Sequence, residues 1–264
     1  MTIRFLCIFG MPRTGSSHVN KLINSCPNFA GKGELFHRHG TGQQRPFEIA
    51  ALNEASGGVV TDSESFREWR RQHPLQTLEA LHKAWKKRTI AFKTFPGHIP
   101  HELIETELLP RDDFACAILK RRPIESFISG VKAKGGAKYT LTDTTAIKPE
   151  ISPEEFLKWA RRMRTWYKWV RDTLDARGKP YAEISFEEHL DGYPAHDALA
   201  HLHDLFVPLG ITTFDKFNED GAEGTRQDRE ADYRKRVANW DEFEAAIRAK
   251  PQPSRMLNWA ERIP

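Results

Sequence analysis

The chain has 264 residues, with 40 Lys and Arg against 36 Asp and Glu, and a formal net charge of +4 at neutral pH. That length suits one large domain with a substantial core, read as a single domain over residues 1–264. No apolar run approaches the length needed to span a bilayer, no secretory signal is recognisable at the start, and the mild basicity suits small polyanions rather than nucleic acid. Cys7, Cys26 and Cys116 are odd in number and form no metal-ligand pattern, so they read as reduced, buried thiols of a cytoplasmic protein.

The first predicted strand is Arg4–Phe9, an apolar run rich in β-branched and aromatic residues. Gly10-Met-Pro-Arg-Thr-Gly15 follows as a turn, and Val19, Leu22, Ile23 and Cys26 then recur at helical spacing. A strand, a Gly-bounded loop and a helix together present backbone N–H groups and a helix N-terminus to an anion. The two glycines have the spacing of the nucleotide loop G-x-x-x-x-G-K-[ST], but Ser16 stands in the lysine place and Ser17 follows. Arg13 is the fixed cation within the loop, and its planar guanidinium suits an oxyanion.

Gly31 to Gly58 reads as a polar loop containing Glu34, His37 and His39. Helices are predicted over Ser63–Gln72 and Leu75–Trp85, split at Pro74. Thr89–Thr94 is a second strand, with Lys93 at its carboxyl end and His98 shortly after. Phe114–Leu119 is a third, running into Lys120-Arg-Arg122. Pro123 opens a helix on which Ser126 and Ser129 share a face, so that Arg121 and a serine can close on one phosphate from two sides. Lys132 to Ile151 reads as a lid or acceptor loop. Ser152-Pro-Glu-Glu155 caps a long helix ending near Gly178, whose apolar face holds Phe156, Met163, Trp166 and Tyr167. Tyr181–Phe186 is the fourth strand, and Ala198 to Leu209 a helix closed by Gly210. Alternating strands and helices predict an α/β fold, a parallel sheet flanked by helices on both faces, with its ligand beyond the carboxyl ends of the strands.

Pro12-Arg-Thr-Gly-Ser-Ser17 resembles the P-[KR]-[ST]-G-[ST]-[ST] loop of the sulfotransferases, and Arg121 with Ser129 resembles their R-[ND]-P-x-x-x-x-x-S signature. Lys93-Thr94 is similar to their K-T motif, Phe186 stands in the Tyr place of their Y-E-D-L stretch, and Tyr233 to Trp240 is similar to their basic segment before a Trp. The resemblance implies a P-loop NTPase-like fold and 3'-phosphoadenosine-5'-phosphosulfate (PAPS) as sulfuryl donor. It implies that Pro12, Arg13, Thr14, Gly15, Ser16 and Ser17 hold the 5'-phosphosulfate, that Arg121 and Ser129 hold the 3'-phosphate, and that Phe186, Arg234 and Arg236 complete the donor site. Lys93 and Arg13 would stabilise the leaving phosphate, with no metal required.

There are departures. Arg122 replaces the Asn/Asp of the second signature, the glycines of the C-terminal segment are missing, and Phe95 occupies the place of the usual catalytic histidine. Glu34, which some bacterial members carry as proposed base, and His98 are then the candidates for proton removal, followed by His37 and His39. Leu35 and Phe36 beside Glu34 suggest an apolar setting that would raise its pKa. The expected acceptor is a hydroxyl or amine of a small molecule, glycan or lipid, selected by loop insertions at about 36–60 and 135–151, with no nucleic-acid partner. A P-loop-type nucleotide or small-molecule kinase, and a non-catalytic binder of nucleotides or nucleic acid, are the rival readings.

Overall fold

The computed structural model describes residues 2–38, 45–58, 63–86, 88–135, 143–211, 218 and 228–250. Strands β1 (Phe5–Phe9), β2 (Phe29–Gly31), β3 (Thr89–Thr94), β4 (Phe114–Lys120) and β5 (Tyr181–Ser185) form one all-parallel sheet in the order β2-β3-β1-β4-β5. Between and after them lie α1 (Ser16–Asn24), α2 (Pro46–Ala55), α3 (Ser63–Gln72), α4 (Pro74–Ala84) and α5 (His101–Leu103), the last running into a π-turn at Ile104–Leu108. Further along are α6 (Pro123–Lys134), α7 (Pro153–Ala176), α8 (Phe186–His189), α9 (Ala195–Phe206) and α10 (Trp240–Arg248), with a 3-10 turn at Tyr233–Arg236.

Both faces of the sheet are buried, because side chains alternate along each strand. Phe5, Cys7 and Phe9 pack with Phe92, Phe114 and Cys116 against Leu78 and Leu81 of α4 and Met163, Tyr167 and Val170 of α7. Leu6 and Ile8 pack with Ala115, Ala117 and Ile184 against Val19, Leu22 and Ile23 of α1 and Leu199, Leu202 and Phe206 of α9. A third cluster joins Ile124 and Ile128 of α6, Phe156 of α7 and Phe243 of α10. All three cysteines are free and buried. Among the described residues no helix is long and apolar enough to cross a membrane.

Three expectations need correction, and one element is new. The stretch read as loop between Gly31 and Gly58 holds a full helix, α2, and begins with strand residue Gly31. The loop read from Lys132 begins later, because α6 continues to Lys134. Phe186 opens α8 instead of closing β5, since the Ser185 side chain caps that helix by accepting from Glu188 N–H. Residues past Asn239, not assigned from the sequence, form α10. The predicted cap of α7 is present: Ser152 Oγ accepts from Glu155 N–H at 3.3 Å, and Gly178 takes a positive φ of 57° past its end.

Candidate active site

β1 lies between β3 and β4: the chain runs from β1 to β2 and β3 on one side and then crosses to β4 and β5 on the other, which makes the carboxyl end of β1 the switch point where such folds open a crevice. The loop Gly10–Gly15 stands there. Gly10 N–H donates to Thr94 O at 3.1 Å and Thr14 Oγ1 to Met11 O at 2.7 Å, tying the loop to β3 and to itself. Arg13 has φ 68° and Gly15 φ 87°. A Cβ on Gly15 would lie 2.2 Å from the Phe186 ring, so both backbone conformation and space demand glycine. The N-terminus of α1 has no side-chain cap and no acidic residue in its first turn, which suits the orphan N–H groups of that turn to an anion.

The two anion motifs of the sequence meet at this loop. Arg13 Nε donates to Ser129 Oγ at 3.0 Å, and Arg121 Nη1 to Arg13 O at 3.3 Å. Ser126 Oγ, on the same face of α6 as Ser129, donates to Pro12 O at 3.2 Å. From β3, the buried Lys93 Nζ donates to Ser16 Oγ at 3.1 Å and Ser17 Oγ at 3.2 Å. Burial pulls the Lys93 pKa down, with Glu34 opposing that shift and Arg13 adding to it.

Glu34 reaches the site through backbone geometry. Asn24 accepts from Gly31 N–H at 2.7 Å and donates to Gly31 O at 3.1 Å, while Asn20 accepts from Gly33 N–H at 3.0 Å. Lys93 N–H then donates to Gly33 O at 2.9 Å, carrying the β2–β3 pairing one step past β2. Glu34 Oε1 lies 3.3 Å from Lys93 Nζ, and its Oε2 lies 3.9 Å from His37 Nε2 and 4.0 Å from His98 Nε2. The expected apolar setting is not found. Leu35 and Phe36 point into the core, whereas the Glu34 side chain is 37 % exposed among these polar partners. His39 lies outside the described residues.

His98 is almost wholly buried, and burial first, then His37, Lys93 and Arg71, push its pKa down to about 3. Its Nδ1 accepts the Phe95 N–H at 3.3 Å, so the neutral ring carries its proton on Nε2, toward Glu34. Arg71 Nε holds the following turn by donating to His98 O at 3.1 Å. Phe95 is buried against this ring. Glu34, His37 and His98 each offer one ligand atom within 4.8 Å of the others, a spacing a metal ion could use. The donor set argues otherwise, since Lys93 already neutralises Glu34 and His98 Nε2 keeps its proton while Nδ1 is engaged.

On the other side of the loop, Arg121 stacks over Phe186 with its guanidinium 4.4 Å from the ring centre, and donates to Glu125 at 3.1 Å. Arg236 is buried and donates to Glu125, Glu230 O and Ala231 O, so its guanidinium anchors the C-terminal segment from inside. Arg234 is exposed, beside Tyr233 and Trp240. Glu125, Asn20 and Asn24 were not singled out from the sequence. The asparagines carry a signal there, one helical turn apart on α1 before a Gly-x-Gly, but Glu125 has none.

No family model and no curated protein matches the chain. Among solved structures, the sulfotransferase STF1 from Mycobacterium tuberculosis is similar at 12% identity and a TM-score of 0.43, covering 90% of this chain and 77% of that one. The sulfotransferase domain of the olefin synthase from Synechococcus PCC 7002 is similar at 15% identity and a TM-score of 0.42, covering 98% and 94%.

Proposed function

We propose that the chain is a sulfotransferase that moves a sulfuryl group from PAPS to a hydroxyl or amine of a small-molecule, glycan or lipid acceptor. The observation that carries this reading is the position of Lys93. Its ammonium bonds the phosphate-loop hydroxyls of Ser16 and Ser17 on one side and Glu34 on the other. A cation between an anion cradle and a carboxylate suits a transfer in which charge grows on a leaving phosphate while an acceptor loses a proton. The residues fit the donor's chemistry: the uncapped N-terminus of α1 offers N–H groups to an anion, and Arg13, Lys93 and Arg121 supply positive charge beside it.

The donor, when bound, supplies the sulfuryl group, whose sulfur bonds the acceptor oxygen or nitrogen as the bond to the 5'-phosphate oxygen breaks. Glu34 takes the acceptor's proton. Lys93, Arg13 and the loop N–H groups offset the charge left on the phosphate. His98, neutral, has its Nε2–H on the side of the Glu34 carboxylate, 4.0 Å away. Ser16 in the place of the nucleotide-loop lysine weighs against the kinase reading. The test is incubation of the protein and chelator with sulfur-labelled PAPS and a set of phenols, alkyl alcohols, sugars and amines. Label should pass to at least one acceptor class. Phosphate transfer from Mg-ATP to those acceptors, with none from PAPS, would favour the kinase.

A further inference from the structure

Glu125 has no part in the chemistry above, yet its side chain is 4 % exposed at the first turn of α6. A buried carboxylate is costly unless charge and hydrogen bonds surround it. Here three arginines do so. Oε2 accepts from Arg121 Nη2 and from Arg236 Nη1, each at 3.1 Å, and Oε1 accepts from Arg122 Nη1 at 3.2 Å. Burial pushes the carboxyl up, and Arg121 and Arg236 more than offset it, leaving its pKa below the ordinary value.

Each end of this cluster leads to a different part of the site. Arg121 runs to the phosphate loop, through Arg13 O and through Phe186, which is packed on Gly15. Arg236 runs to the C-terminal strap 228–236, through Glu230 O and Ala231 O. The strap has a second tie to the same helix. Lys132 lies seven residues after Glu125, on the same face of α6, is buried, and donates to Asp228 at 2.5 Å and to Thr144 O at 3.0 Å. Two other acids lie nearby: Asp228 is also 3.9 Å from Arg236 Nε, and Glu187 accepts the Arg122 N–H at 2.8 Å, with burial pushing its pKa up. Three guanidinium groups share the Glu125 carboxylate, with Asp228 beside Arg236 at the strap end and Arg121 at the loop end.

We propose that Glu125 is a positioning residue that links the phosphate loop, through Arg121, to the 228–236 strap, through Arg236, so that an anion held by Arg121 and the seating of the strap stabilise each other. The identity of that anion as the donor's 3'-phosphate rests on the sulfotransferase reading; the link does not. A carboxylate that only stabilised the fold would leave the strap's exposure independent of ligand, whereas a link makes the two reciprocal.

The strap carries exposed Arg234 and Lys235, so trypsin cleavage there, followed by mass spectrometry of the peptides, reports its seating. In the wild type, 3'-phosphoadenosine-5'-phosphate (PAP) should slow that cleavage. Glu125→Gln keeps the shape and loses the charge. It should speed cleavage, abolish the protection, and weaken PAP on the order of tenfold or more, as expected for a lost charged bond. Adenosine-5'-phosphosulfate, which lacks the 3'-phosphate, should change little, and Glu125→Asp should restore part of the effect. If Glu125→Gln does not fold, Arg236→Lys must give the same pattern from the strap's side. A folded Glu125→Gln with unchanged cleavage and PAP affinity, with tighter PAP binding, or with both nucleotides weakened equally overturns the proposal. If the wild type binds no PAP, the sulfotransferase reading falls, and the unliganded cleavage comparison decides the link: equal rates in wild type and variant sink it.

Discussion

His98 Nε2 stands 4.0 Å from Glu34 Oε2, and the two side chains suit different tasks. The Phe95 N–H points at His98 Nδ1, and that nitrogen must stay unprotonated to accept it. The other nitrogen then already holds a proton, so neutral His98 has nowhere to take one from an acceptor. Glu34 does. Glu34→Gln should lower sulfuryl transfer by about 10²–10⁴-fold, the usual share of a general base, while PAP affinity in titration does not weaken. His98 makes a separate prediction in pH. Its folded pKa of about 3 lies below the ordinary 6.5, so the unfolded chain binds its proton first and stability falls as pH drops from 6.5 toward 3. Over the first one and a half units, starting from half protonation in the unfolded chain, that amounts to about 1.5 kcal/mol. His98→Gln should therefore lose about 1.5 kcal/mol less than the wild type between pH 6.5 and 5 in denaturant titrations. Parallel pH curves for the two proteins would mean that His98 does protonate in the folded state.

Gly15 at the N-terminus of α1 combines a left-handed backbone with a ring pressed against its missing side chain. Gly15→Ala should cost about 1–2 kcal/mol from backbone conformation alone, and more from the Phe186 contact. Gly15→Ala with Phe186→Ala isolates the two terms: chemical denaturation should show the pair less destabilised than the sum of the single variants. If the two changes simply add, the ring is not what excludes a side chain there.

The same elements show what local pattern can and cannot announce. β1, β3 and β4 were legible because strands buried on both faces read as continuous apolar runs. β2 was not, being three residues held at the edge by Asn20 and Asn24. α2 was not, because Phe47 and Ile49 face solvent while Glu48 and Leu52 are buried. Glu48 is accepted in the interior because Lys32 and Trp85 Nε1 both donate to it, a pairing no local window contains. In the site, Arg13, Lys93, Arg121 and Ser129 were legible as motif residues. Glu125 was not, since its meaning depends on Arg236, which is 111 residues away in the chain.

Across the whole molecule, the strand order carries the argument. With β1 in the centre, the loop after it, Lys93 at the end of β3 and the Arg121–Ser129 stretch after β4 must converge at one rim of the sheet. Arg13, Lys93 and Arg121 surround a loop whose helix begins with Ser16 in place of a lysine. Under the proposed function, this rim would hold the two separated phosphate groups of the donor without a metal.

Calorimetric titration of the wild type and Arg121→Ala with PAP, adenosine-5'-phosphosulfate and ATP, each with chelator and with Mg2+, tests that claim most directly. PAP should bind in chelator and far more tightly than ATP. Arg121→Ala should weaken PAP by about 1.5–3 kcal/mol, the loss of a charged hydrogen bond, while adenosine-5'-phosphosulfate hardly changes. ATP binding as tightly as PAP, or an absolute need for Mg2+, would contradict the sulfotransferase account.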